Sequence, residues 1–294
     1  MSRRLEDRIG GATTAAGMSW STVCNRKGPD RVTTTIELVG SSAVVTGISK
    51  GIGRATAVAL AGAGANILGV YRSDHDGAAT VANQIESLGC EAVIIQGDTG
   101  DPALAPLLAK EALERWGTLD IWVNNAAQLM VKPLVETSDD DWHGLMAANL
   151  HGFFYGSREA ARTMYTQGRG RIINITSAAD ILVVANLGAY IAAKGAIVGL
   201  TRTLALEAAE HNVTVNAVSP GATDTQLNLK AYTPQVRKTY EERIPLGRIG
   251  TEDEVADVIV FVASTASRYI TGQEIVVDGG LVINGTVGHV RDDE

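Results

Sequence analysis

From residue 43 to residue 277 the chain alternates short β-branched runs with longer segments rich in Ala and Leu. The short runs fall at 43–46, 66–71, 92–96, 119–123, 171–176, 214–218 and 274–277, and read as strands. Helices are expected over 52–63, 78–88, 103–116, about 140–165, about 187–209, 226–242 and 252–264. Strands apolar along their whole length are buried on both faces. Strand–helix–strand repetition gives parallel pairing, because a parallel neighbour is reached only by a crossover, and such crossovers are right-handed. The fold class is thus α/β, a single doubly wound parallel sheet of about seven strands with helices on both faces.

The chain has 294 residues, enough for one large core. Past residue 40 no repeat or linker interrupts the alternation, so 37–294 reads as one domain. Residues 1–36 are polar and rich in Arg, Thr and Gly, and read as a flexible extension, with Met18 an alternative start. Glu6 and Asp7 argue against a targeting leader. The net charge of −8 argues against nucleic acid as a partner, since phosphate binding needs a basic face. No apolar run reaches the ~18 residues of a membrane span, so no membrane partner is expected. Cys24 and Cys90 form no metal or disulfide framework, which fits the cytoplasm. The five histidines show no ligand spacing, and no metal is assigned.

The first strand runs into Thr46-Gly47-Ile48-Ser49-Lys50-Gly51-Ile52-Gly53, where the first helix begins. Glycines there allow a tight turn and let the backbone approach a pyrophosphate, while the helix N-terminus offers free N–H groups. The spacing is longer than G-x-G-x-x-G and lacks the Gly-Lys-Ser/Thr of a P-loop. A Rossmann-type nucleotide fold is expected.

Tyr190 and Lys194 stand four residues apart on an expected helix, so phenol and ammonium share one face. A tyrosine with a pKa near 10 becomes a better acid or base beside a positive charge. Ser177, thirteen residues before Tyr190, supplies a hydroxyl to hold a carbonyl oxygen. The set suits proton transfer at an oxygen while hydride moves at carbon.

Taken in order, these motifs resemble the short-chain dehydrogenase/reductase family over about residues 37–285. Asp98, then Asn124-Asn125-Ala126-Ala127, Asn149, Ser177, Tyr190, Lys194, Pro220-Gly221 and Asp278-Gly279-Gly280 follow the glycine loop. Ala127 stands where the family more often has glycine. The resemblance implies an oxidoreductase in which Tyr190 is the general acid/base. It implies that Lys194 holds the nicotinamide ribose and lowers the Tyr190 pKa, that Ser177 holds the substrate oxygen, and that Asn149 positions a relay water. It implies cofactor contacts from Gly47, Ser49, Lys50, Gly51, Ile52 and Gly53, from Tyr71, Arg72 and Ser73, and from Asp98 and Thr99. Asn125, Ala126, Pro220, Gly221, Thr223 and Thr225 complete that set, with Tyr190 and Lys194. Plainer roles stand beside these: Asn149 satisfying backbone at a helix bend, and Asp98 or Thr225 capping a turn or helix. The cluster Thr137-Ser138-Asp139-Asp140-Asp141 reads as a helix N-cap.

NAD enzymes of this fold carry an acid at the end of the second strand. Here that strand ends in Tyr71-Arg72-Ser73, and Lys50 lies in the glycine loop, so a 2′-phosphate clamp is expected. NADP(H) is preferred, with NAD(H) possible because Asp74 and Asp76 are near. The substrate wall is expected from Ala179, Ile181, Leu182, Leu187, Ala222, Leu227 and Leu229, which suits a small to medium, mostly neutral carbonyl or alcohol. Segment 226–243 is expected to form a lid. Carrier-protein reductases of the family often have an arginine where this chain has Leu206. Relatives are usually tetramers, so a homotetramer is expected, with a dimer as the alternative. Other readings are an NAD-linked alcohol or sugar dehydrogenase, and a non-catalytic nucleotide sensor on the same fold.

Overall fold

The computed structural model describes residues 36–228 and 231–285. The expected extension over 1–36 and the substrate-wall residue Leu229 therefore lie outside the described residues, save for Ile36. Seven parallel strands form one sheet in the order β3-β2-β1-β4-β5-β6-β7. They are β1 (Ser42–Thr46), β2 (Asn66–Tyr71), β3 (Ala92–Gln96), β4 (Ile121–Asn124), β5 (Gly170–Ile175), β6 (Val213–Pro220) and β7 (Glu274–Val277). Every residue of β1, β4 and β6 is buried, as expected of strands covered on both faces.

Helices α1 (Gly51–Gly62), α2 (His75–Ser87) and α8 (Glu252–Ala263) cover one face, packing Leu60, Ile85 and Ile259 with Val45 and Ile67 of the sheet. Helices α3 (Leu104–Trp116), α5 (Gly152–Gln167) and α6 (Gly188–Ala208) cover the other, packing Leu108, Met164 and Leu204 with Val44 and Ile172. A buried polar chain stitches this second layer. Trp122 Nε1 donates to Asn124 Oδ1 at 2.7 Å, Asn124 Nδ2 to Asn174 Oδ1 at 2.9 Å, and Asn174 Nδ2 to Thr201 Oγ1 at 2.9 Å. Each amide is satisfied, which makes its burial tolerable.

Two expected helices differ. The one expected over 140–165 is α4 (Asp139–Met146), a π-turn (Ala147–His151) and α5. Asn149 lies in that turn, its amide held by the backbone of Gln128. The piece expected over 226–242 starts later, as α7 (Pro234–Arg243), with Thr233 accepting from Val236 N and Pro234 at the first turn. The acidic cluster is the N-cap the sequence indicates: Ser138 and Asp141 form a capping box on α4. Helix α6, extended to His211, is long and apolar enough by length and composition to cross a membrane, contrary to the sequence count. In the fold it is a core helix, with Ala193, Ile197 and Ala205 buried.

Candidate active site

All strands point their carboxyl ends to one edge, and crossovers diverge between β1 and β4. A crevice forms at such a reversal. It opens into a cleft of about 730 Å³ running from the glycine loop to α6 and α7.

At the nucleotide end, Gly47 has φ +75°, the region glycine adopts without steric cost. A Cβ on Gly53 would stand inside the contact shell of the Gly47 carbonyl oxygen, so only glycine lets the helix start so close to the strand. Asn125 locks this turn: its Nδ2 donates to Thr46 O at 2.9 Å, while its backbone N–H donates to Thr46 Oγ1 at 2.9 Å. The N-terminus of α1 faces the cleft through Ser49, Lys50, Gly51 and Ile52. Thr225 stands over Gly51, and its hydroxyl is buried without a hydrogen-bond partner. Free helix amides and an orphan hydroxyl fit a pyrophosphate.

Arg72, Ser73, Asp98, Thr99 and Ala126 line the cleft beside the glycine loop. The Gln128 side-chain oxygen accepts from the Arg72 guanidinium, and Gln96 Nε2 donates to Arg72 O at 3.0 Å. Both hold the arginine at the end of β2. Tyr71 is buried, with its hydroxyl 2.9 Å from His75 Nδ1, so its phenol belongs to the core although its backbone borders the cleft. Pro220, Gly221 and Thr223 form the opposite rim, Thr223 Oγ1 donating to Gly221 O at 3.2 Å.

Ser177, Tyr190 and Lys194 meet at the far end. Ser177 follows β5, its hydroxyl accepts from Ala179 N at 3.2 Å, and it lines the cleft with the Tyr190 phenol. Lys194 is 1 % exposed; its Nζ donates to Ile175 O at 2.7 Å and lies 4.6 Å from the Phe153 ring centroid. It is also 5.7 Å from the Tyr190 ring centroid. Burial pushes the Lys194 ammonium down to about 7 and the Tyr190 phenol up to about 12. The Ser177 hydroxyl pulls the phenol back down, and the Asp180 charge pushes it up. Burial is the largest influence on the phenol and raises it, and Lys194, whose lowering of the Tyr190 pKa the sequence reading expects, is not among the groups that shift it. Asn149 and Gly53 do not line the cleft; both shape its wall from behind.

The remaining wall is apolar. Ala179, Leu182, Leu187, Ala222 and Leu227 line it as expected, whereas Ile181 is turned to solvent. Tyr232 and Tyr240 also line it, in tilted contact with centroids 5.3 Å apart. Burial raises both phenols. Sequence reading missed these tyrosines and Gln128, because no motif or period marks a residue that reaches the cleft from a variable loop.

A family model described as enoyl-(acyl carrier protein) reductase matches residues 47–282. A 3-oxoacyl-[acyl-carrier-protein] reductase of Synechocystis is 39 % identical over 84 % of this chain and 98 % of its own. A 3beta-hydroxysteroid dehydrogenase of Eggerthella lenta is 36 % identical over 84 % and 95 %. The crystal structure of a gluconate 5-dehydrogenase from Burkholderia cenocepacia, in complex with NADP and tartrate, superposes with a TM-score of 0.80 at 36 % identity, covering 85 % of this chain and 98 % of that one. With the glycine loop, the switch-point cleft and the Ser177–Tyr190–Lys194 cluster in one fold, the chain belongs to the short-chain dehydrogenase/reductase family and is an oxidoreductase acting on hydroxyl and carbonyl groups.

Proposed function

We propose that this enzyme moves hydride, with NADP(H) preferred, between the nicotinamide and the carbonyl or secondary alcohol of a small to medium, mostly neutral substrate. The observation that carries this reading is the convergence of Ser177, Tyr190 and Lys194 at the apolar end of the cleft whose other end is the glycine loop. The nicotinamide supplies or takes the hydride. Ser177 holds the substrate oxygen, and Tyr190 gives or takes its proton. Lys194, which lines the cleft beside Tyr190, would hold the nicotinamide ribose. Thr225 and the α1 amides would hold the pyrophosphate, and Arg72 with Lys50 and Ser73 a 2′-phosphate.

Lys194 aside, the substrate end has no charged side chain among the described lining residues, so no further cation there would pair a carboxylate. Leu206, 82 % exposed, leaves no cation where carrier-protein reductases often have one, which favours a free small molecule. We place the enzyme in the cytoplasm, as a homotetramer without nucleic-acid or membrane partners.

The test is cofactor oxidation by the purified protein, NADPH beside NADH, across ketones, diketones, keto-sugars, hydroxysteroid ketones and 3-oxoacyl thioesters. Turnover with NADPH that falls about 10²–10⁴-fold in Tyr190→Phe is expected, the range a positioned acid/base supplies. Turnover surviving in the variant would remove Tyr190 from its role.

A further inference from the structure

Past the glycine loop the cleft is bordered by two small apolar clusters. In one, Tyr190 is buried with Leu145 and Ala189, and Leu129 and Leu187 pack on them. In the other, Tyr232 and Tyr240 pack with Leu182 on buried Ala222, Ile244 and Leu281. Members of both line the cleft. A substrate whose oxygen meets Tyr190 has the second cluster for the rest of its body.

That second cluster is chemically distinct. Aromatics make up 5 % of the chain, yet two stand together here, Tyr232 and Tyr240, with ring centroids 5.3 Å apart and planes tilted by 52°. A tilted pair is edge-to-face in character, so neither ring covers the whole face of the other. Both residues are half-buried, rest on aliphatic side chains and border the cleft.

Their support is fixed. Tyr232 N–H donates to Asn228 O at 2.9 Å, and Thr233 caps α7 by accepting from Val236 N. Arg237, on the same helix, pairs with Asp224 at 2.5 Å, which ties α7 to the loop after β6. Asn228 Nδ2 donates to Thr223 O at 2.9 Å and ties that loop back on itself. A preformed aromatic surface rewards a rigid ring, which buries its area without freezing torsions; a linear chain must order each of its own.

We propose that Tyr232 and Tyr240 form a ring-binding wall, and that the substrate is a ketone or alcohol carrying a flat apolar ring rather than a linear chain. The inference deepens the hydride-transfer reading and rests on it for the carbonyl end; the ring end is a matter of binding.

The test compares phenyl ketones, the ring set at increasing distance from the carbonyl, with linear methyl ketones of equal carbon number. In the wild-type enzyme kcat/KM should favour the best phenyl ketone about three- to tenfold, the scale of an aromatic contact. Tyr232→Leu and Tyr240→Leu should remove most of that ratio while linear ketones stay within about twofold of wild type. Tyr232→Phe and Tyr240→Phe should keep it. A wild-type ratio at or below unity overturns the proposal. So does an equal loss in the Phe and Leu variants, which would make the contact one of hydroxyls, or an equal loss on ring and linear ketones. Should the Leu variants not unfold cooperatively, NMR of a phenyl ketone bound to the wild-type enzyme decides. Overhauser contacts between its ring protons and those of Tyr232 and Tyr240 are expected, and their absence overturns the wall. Equilibrium binding of the same ketone pairs to the nucleotide-saturated protein separates the two proposals. Tighter binding of ring ketones without turnover leaves the wall standing and removes the reaction, whereas turnover without ring preference does the reverse.

Discussion

Arg72 is the residue on which the proposed cofactor choice turns. Its guanidinium is fixed by Gln128 at the cleft's edge rather than left to swing in solvent. Arg72→Ala is expected to raise the Michaelis constant for NADPH about tenfold, a loss of roughly 1.5 kcal/mol for charge-assisted hydrogen bonds. NADH kinetics should stay near wild type, and steady-state assays with both nucleotides check the contrast. Lys194 carries a second expectation. Its folded pKa is about 7, below the ~10.4 of an unfolded lysine, so the unfolded chain binds the extra proton between those values. Its contribution to stability is therefore present above the unfolded value and is lost as pH falls towards 7. Lys194→Met should raise the melting temperature most at pH 7, and the gap should narrow by pH 9.5; thermal scans across that window test it. The cluster of Ser177, Tyr190 and Lys194 was legible in the sequence because Tyr190 and Lys194 share a helix face at fixed spacing. Gln128, which fixes Arg72, was not, since no motif or period marks a loop residue that reaches the cleft.

At the scale of elements, the strands were legible nearly to the residue: β2, β3 and β7 match the expected ranges. Their runs are short, apolar and bounded by turns, so local pattern and tertiary burial agree. The break at Ala147–His151 was legible only as the plainer reading of Asn149 at a helix bend, because a π-turn keeps helical spacing and is set by the tie between Asn149 and Gln128. The Asn124–Asn174–Thr201 chain was equally hidden, its members lying on β4, β5 and α6. It gives a stability expectation. Asn174→Ala leaves one Asn124 amide hydrogen unpaired in the core, Ser157 Oγ at 3.0 Å holding the other, and should cost about 2 kcal/mol, or roughly 4–8 °C in melting temperature for a domain this large. Differential scanning calorimetry measures it, and an unchanged melting temperature would mean the neighbours re-pair.

For the whole molecule, architecture and family were legible because each motif sits at a strand end, and strand ends share one edge of a parallel sheet. The substrate was not, since its wall comes from side chains around α7 and from loops of no fixed pattern. Assembly is the expectation at this scale. Leu206 on α6, Phe154 on α5 and Tyr269 before β7 expose apolar surface that a lone chain would leave wet. A homotetramer is expected by light scattering at micromolar concentration; a monomer there would withdraw that assignment.

The strand order also governs how the chain reaches its shape. β1 pairs with β4 across a gap of 78 residues, Ala43 opposite Ile121, whereas β5 and β6 pair across 43, Gly170 opposite Val213. Closing the longer loop comes at greater entropic cost, and non-local pairing slows folding. As the chain emerges from the ribosome, β1 must wait with only β2 beside it until residue 123 is free. During that wait one flank of an apolar strand is unpaired, so nascent chains halted before β4 are the ones that should need a chaperone.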